Sequence, residues 1–172
     1  MKKIVIFIII LAIICIPFII KKKSDKIEYK KEQLSFIEYT SGTTGLPKAI
    51  ELTNDCANLK VLQYSEIGIK YQRGDVYLNI IPVFVAFGVV MGIQLPLSLG
   101  FRDEIIASYD RNNIINYFKD IRPNHFMLVP SSYSYLVHHP KFKTLDLSHA
   151  RTLGCGADAL TMEQNKIIES KF

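Results

Sequence analysis

Tyr39-Thr40-Ser41-Gly42-Thr43-Thr44-Gly45-Leu46-Pro47-Lys48 places four aliphatic hydroxyls, two glycines and a lysine between two short segments that read as strands. Phosphate oxygens need hydroxyl donors, backbone N–H groups that glycine leaves open to close approach, and a cation, and this stretch offers all three. A polar hairpin turn would draw on the same residue types, since Gly, Ser and Thr are common in turns. The phosphate loop of nucleoside triphosphatases is excluded. It requires Gly-Lys-Ser/Thr, whereas here Pro47 precedes Lys48 and Ala49 follows it.

Working outward, Leu34 to Tyr39 and Lys48 to Leu52 are expected strands. Thr53 or Asn54 should cap a helix running to about Glu66, with Asp55 near its positive end. Gly74-Asp75 marks a turn before a buried strand, Val76 to Ile81. Val83 to Leu99 is almost continuously apolar, but Gly88, Gly92, Gln94 and Pro96 favour a buried loop and helix over a membrane span. Further strands are expected at Glu104 to Ser108, His125 to Val129 and Arg151 to Cys155. Between them, Asp110 caps a helix whose apolar side is Ile114, Ile115, Tyr117, Phe118 and Ile121, stopped by Pro123, and Pro130-Ser131 starts another reaching His138 or His139. Thr161-Met162-Glu163-Gln164 is a capping box for the closing helix. Strands alternating with helices imply an α/β layer with a largely parallel sheet.

The chain carries 21 Lys plus Arg against 16 Asp plus Glu, and the excess of five is localised. Lys2, Lys3, Lys21, Lys22 and Lys23 bracket the apolar run Ile4 to Ile20, and every acidic residue lies at or after Asp25, so residues 24–172 are neutral. No basic face is left to suggest nucleic acid. The 17 apolar residues of that run would span about 26 Å as a helix, enough to cross a bilayer core. No small-x-small cleavage site follows Phe18-Ile19-Ile20, which favours an uncleaved anchor over a secretory signal. The larger number of lysines after the run places the body on the cytoplasmic side. The expected organisation is therefore an anchor with basic flanks at 1–23, a linker at 24–33 and an α/β body at 34–172. Cys15, Cys56 and Cys155 form neither a metal spacing nor a disulfide framework, and His125, His138, His139 and His149 show no metal spacing, so the histidines are expected on the surface or satisfied in the core.

The longer string YTSGTTGLPKAIELT resembles the phosphate-binding signature of the adenylate-forming enzymes, the superfamily of acyl-CoA synthetases, luciferases and peptide-synthetase adenylation domains. Later segments agree in order. Pro82-Val83-Phe84-Val85-Ala86-Phe87-Gly88, leading to Pro96-Leu97-Ser98-Leu99-Gly100, is similar to that family's Pro-x-Phe-His-x-x-Gly stretch. Arg122-Pro123-Asn124-His125-Phe126 through Val129-Pro130, and Gly154-Cys155-Gly156-Ala157-Asp158-Ala159-Leu160, resemble its strand-to-helix step and its Gly-Gly-Ala loop.

The resemblance implies an incomplete part of the large N-terminal domain of such an enzyme. It implies that Thr40, Ser41, Gly42, Thr43, Thr44, Gly45 and Lys48 fold over the β- and γ-phosphates of ATP, with Mg²⁺ sharing the charge. Gly156 and Ala157 would lie against adenine and the acyl pocket, and coenzyme A would be the co-substrate. The implied reaction is attack of a carboxylate, such as that of a fatty acid, on the α-phosphate, then thioester formation. Val85 stands where many members have His, Cys155 replaces the first glycine, Ala49 a Gly and Asn54 a His. No Tyr-Gly-x-Thr-Glu segment follows, and the ribose-binding aspartate, hinge and small C-terminal domain with its lysine are not encoded in these residues. Catalysis by this chain alone is therefore not expected. A partner chain completing the site is one expectation; a non-catalytic membrane-anchored interaction module or a truncated gene product is the alternative.

Overall fold

The computed structural model describes residues 28–40 and 45–171. The chain divides into two units at Lys30/Lys31, and every described helix and strand lies in the second. The proposed anchor, the start of the linker, and Ser41, Gly42, Thr43 and Thr44 lie outside the described residues. Among the described residues no helix is long and apolar enough to cross a membrane.

The second unit opens with an antiparallel hairpin, β1 (Leu34–Thr40) and β2 (Lys48–Thr53), whose register pairs Thr40 with Lys48 and Phe36 with Leu52. Helix α1 (Asn54–Ser65) follows at once. Its N-cap is Thr53, whose hydroxyl accepts from the Cys56 amide, and Asp55 occupies the first turn. A second sheet of four parallel strands then builds up in the order β4-β3-β5-β6, from β3 (Val76–Asn79), β4 (Arg102–Ile105), β5 (His125–Leu128) and β6 (Thr152–Cys155). Among the described residues β4 and β6 are its open edges.

Side chains alternate across this sheet with the period of two that a strand imposes. Leu78, Phe126 and Leu128 point to one face, where they pack with Ile114, Ile115 and Phe118 of α3 (Ile114–Ile121), Tyr133 and Leu136 of α4 (Pro130–His138) and Ile168 of α5 (Met162–Glu169). Tyr77 and Met127 point to the other, against Val61 of α1, Met91, and Leu95 of α2 (Leu95–Leu99). The result is three layers with helices on both faces, as α/β connections require.

The strand expected over Val76 to Ile81 ends at Asn79, a second strand is displaced, and the loop and helix expected over Val83 to Leu99 are found. The strand expected at Glu104 to Ser108 runs instead over Arg102–Ile105, because its register is set by β3: Val76 pairs with Arg102, and Asn79 with Ile105. The apolar stretch from Val83 forms a π-helical turn, Gly88–Gln94, that passes directly into α2. Gly88 is obligatory there. A Cβ at this position would overlap the Pro82 carbonyl oxygen and sit 2.7 Å from its carbon, so only glycine lets the turn close back on Pro82, three residues beyond the end of β3.

The N-terminal ends of the strands are joined by a buried polar cluster. Asp75 precedes β3, is 7% exposed, and accepts from the Gln72 amide at 2.9 Å, from Arg151 Nη1 at 3.0 and 2.9 Å, and from His125 Nε2 at 2.8 Å. An ionised carboxylate only accepts, so His125 carries its proton on Nε2, and its Nδ1 accepts from the Thr152 hydroxyl at 2.7 Å. Burial lowers the histidine pKa and outweighs the opposing pull of Asp75, which leaves the ring neutral. Burial acts the other way on Asp75, but the bonds from His125, the Gln72 amide and Arg151 offset it and hold the carboxyl below its usual range. His125 is thus a satisfied core histidine, stacked on Phe101 with centroids 4.7 Å apart. His149 departs from the expectation: both its ring nitrogens are buried without a hydrogen-bond partner among the described residues.

Candidate functional site

The expected site residues fall into two groups. Thr40 and Lys48 face each other across the mouth of the β1–β2 hairpin, and Gly45 has φ of +132°, a backbone conformation open to glycine. Leu46, beside it, is 90% exposed. The antiparallel pairing holds both ends of the loop, so the polar-turn interpretation and the phosphate-loop interpretation share one scaffold. Ser41, Gly42, Thr43 and Thr44 lie outside the described residues.

Gly156 and Ala157 form the second group, immediately after the C-terminal end of β6. The Gly156 amide donates to the Leu128 carbonyl at 3.3 Å, extending the β5–β6 ladder by one bond. Ala157 has φ of +71°, a left-handed conformation that costs a residue bearing a Cβ about 1–2 kcal/mol. Strain of this kind persists where the surrounding structure over-determines it, as at ligand-binding turns. From the core, the buried Tyr133 of α4 donates its hydroxyl to the Gly154 carbonyl at 3.0 Å and fixes the strand end. Cys155 is exposed and is not an activated nucleophile, because burial of its thiol and the nearby Asp158 raise its pKa.

Phe87, from the Pro82–Gly88 stretch, belongs to the same place although the sequence assigned it no role there. It stands against Gly156, and a Cβ on that glycine would come within 3.1 Å of the ring. Glycine here lets an aromatic ring lie flush with the backbone at the strand end, 69 residues away in sequence (156 − 87). The same Phe87, with Ala86, Val90 and Met91, lines an open cavity of about 340 Å³ whose other wall includes Phe36, Leu52 and Ala57. The Pro82–Gly88 segment therefore separates the Gly156 turn from the inner face of the hairpin. Only the aromatic character of Phe87, within that stretch, could have signalled this. Val85, in the position where a polar side chain is common, packs with the apolar cluster around Tyr77. Among the described residues no group of three His, Cys, Asp or Glu side chains could hold a metal ion.

Comparison with known proteins bears on this geometry. A family model described as AMP-binding enzyme matches residues 15–172. A long-chain-fatty-acid–CoA ligase of Bacillus subtilis (strain 168) is 28% identical over 144 residues, covering 83% of this chain and 25% of that protein. The chain thus spans about a quarter of the length of the curated relatives it matches. Among solved structures, ATP-bound MatB from Rhodopseudomonas palustris superposes with a TM-score of 0.74 at 23% identity, over 84% of this chain and 28% of that one. The N-terminal domain of FACL13 from Mycobacterium tuberculosis superposes with a TM-score of 0.68 at 23% identity, over 87% of this chain and 37% of that one. The structural matches establish the fold.

Proposed function

We propose that this chain, which belongs to the AMP-binding enzyme family, supplies the phosphate-binding hairpin and one wall of the acyl pocket of a site that activates a carboxylic acid with ATP. Thr40, Ser41, Gly42, Thr43, Thr44, Gly45 and Lys48 hold the β- and γ-phosphates through hydroxyls, amides and one ammonium. ATP enters with Mg²⁺ as its counter-ion. Positioned donors of this kind stabilise the charge that develops on departing pyrophosphate. Gly156, Ala157 and Phe87 shape the space beside the adenylate, and the acyl group then passes to coenzyme A. A polypeptide partner provides the groups for ribose and for the second half-reaction. The apolar segment 4–20 anchors the chain, and the lysines after it keep the body on the cytoplasmic side, where ATP and coenzyme A are found.

The observation that carries this reading is the contact of Phe87 with Gly156. Two stretches that separately resemble one family meet at the C-terminal ends of parallel strands, where open α/β sheets bind ligands. The test uses the full chain in detergent micelles. MgATP at a hundredfold excess over its Kd should stabilise the chain by about 2.7 kcal/mol, and Lys48→Ala should abolish most of that gain. Absence of any thermal shift up to millimolar MgATP, in wild type and variant alike, would overturn the proposal.

A further inference from the structure

Three buried oxygens on one face of the parallel sheet have no hydrogen-bond partner among the described residues: Oη of Tyr77, Oδ1 of Asn79 and Oδ1 of Asp103. Their register gathers them. Tyr77 of β3 lies opposite Asp103 of β4, and Asn79 is two residues further along β3, so all three side chains rise from the same face. Tyr77 is 3% exposed and Asn79 is 1% exposed. The Asn79 amide nitrogen is committed, donating to the Gly92 carbonyl at 2.5 Å and reaching Asp103 Oδ2 at 3.5 Å. Tyr77 keeps a phenolic O–H that bonds to neither neighbour, so with Asp103 ionised both Asp103 Oδ1 and Asn79 Oδ1 are buried acceptors without a donor, which is costly.

The neighbours offer no remedy. On β4 itself Glu104 adds a like charge and is already paired with Arg102 at 2.8 Å. From α1 and the loop before β3 come the phenols of Tyr64 and Tyr71, which lie close enough to act on Tyr77 but hydrogen-bond to none of the three oxygens. The π-helical turn Gly88–Gln94 and α2 bring no titratable side chain at all. Asp103 therefore sits where a bound proton supplies the missing donor. Its pKa is pushed up to about 6, chiefly by burial and further by Glu104, against the opposing bond from Asn79.

We propose that Asp103 is a proton-binding positioning residue that acts, through Asn79 and the Gly92 carbonyl, on the helical turn carrying Phe87. The transmission is short. Asn79 grips the turn at Gly92, where an added Cβ would come within 2.8 Å of Asn79 Oδ1, so there is no slack between side chain and backbone. Phe87 immediately precedes this turn and rests on Gly156. When Asp103 takes a proton it becomes a donor, the amide of Asn79 no longer serves a carboxylate, and the hold on Gly92 changes. Nothing in this coupling depends on what the hairpin loop binds.

The test is a pH titration of the full chain in detergent micelles by NMR, tracking the Asp103 carboxyl carbon, the Asn79 side-chain amide and the backbone amides of Gly92 and Gly156. Asp103 should titrate with a midpoint near 6, and Gly92 and Gly156 should share it. Asp103→Asn supplies a permanent donor of the same shape, so it should erase that midpoint from both glycines and raise the thermal unfolding midpoint at pH 7.5. A carboxyl midpoint below about 5 would overturn the proposal on the wild-type chain alone, whether or not the variant folds. Glycine amides that ignore the Asp103 midpoint, or keep it in Asp103→Asn, would overturn the positioning role.

Discussion

Removing the Asp75 carboxylate should be among the most damaging single changes available in this fold. It accepts from the Gln72 amide, from His125 and from Arg151, and thereby ties the start of β3 to the starts of β5 and β6. Asp75→Ala leaves the buried Nε2–H of His125 without an acceptor, at about 1–3 kcal/mol, whereas the amide of the exposed Gln72 can turn to water at little cost. Arg151 is 38% exposed on its side chain and can turn to water, so its loss adds little. The expected cost is about 2–3 kcal/mol, chiefly that one buried donor, against a total stability of about 5–15 kcal/mol for a domain. Urea unfolding of the full chain monitored by far-UV circular dichroism measures it, with Thr152→Val as a companion that removes only the donor to Nδ1 and should cost about 1 kcal/mol. If Asp75→Ala unfolds within about 1 kcal/mol of wild type, water replaces the carboxylate without penalty and the cluster does not hold the strand ends.

The glycine turn and the buried histidine give two further expectations. Gly88→Ala must push a methyl group into the Pro82 backbone, 2.7 Å from its carbonyl carbon; with optimal carbon contacts near 3.5–4.0 Å and overpacking costs of about 1–3 kcal/mol, a loss of about 3 kcal/mol is expected in thermal unfolding, together with a shifted Gly156 amide signal. The pH dependence has a definite sign: His125 has a folded pKa below its unfolded value, so its contribution to stability is complete above about pH 6.5 and is lost as pH falls below that, while the lowered Asp75 pKa adds a second loss below its unfolded value near 3.8. In His125→Gln the first of these losses should vanish from the pH profile of the unfolding midpoint.

Local signals were fully legible in the sequence. The Thr53 cap, the capping box in which Thr161 and Gln164 bond each other's backbone, and the Pro130 helix start all stand where residue chemistry put them, because each depends on neighbours within four residues. The position of β4 was not legible, since its register belongs to β3 and not to its own alternation. The Asp75–His125 and Asp75–Arg151 contacts span 50 and 76 residues and leave no periodic trace. At the site, the phosphate-loop composition and the glycine turn could be read off, but the role of Phe87 could not. It arises only when a π-helical turn, which Gly88 allows to close against Pro82, brings the ring onto Gly156.

The two ends of the parallel sheet are built on opposite principles, and this bears on what the site can tolerate. At the N-terminal ends, charged and hydrogen-bonded groups tie the strands together, with Asn124 accepting from the Val76 amide and donating to the His149 carbonyl, both at 2.9 Å. At the C-terminal ends, room is made by omission: glycines at 88, 92, 154 and 156 each admit a neighbour where a Cβ would collide or crowd, and Ala157 is held in a left-handed turn. The strained turn at the second end is held by bonds of its own, the Gly156 amide on the Leu128 carbonyl and the Tyr133 hydroxyl on the Gly154 carbonyl, and neither involves Asp75 or His125. Changes at Asp75 or His125 should therefore lower stability while leaving the native position of Phe87 intact. Changes at Gly88 or Gly92 should move Phe87 even where the domain remains folded. A ligand bound beside Gly156 would feel only the second class.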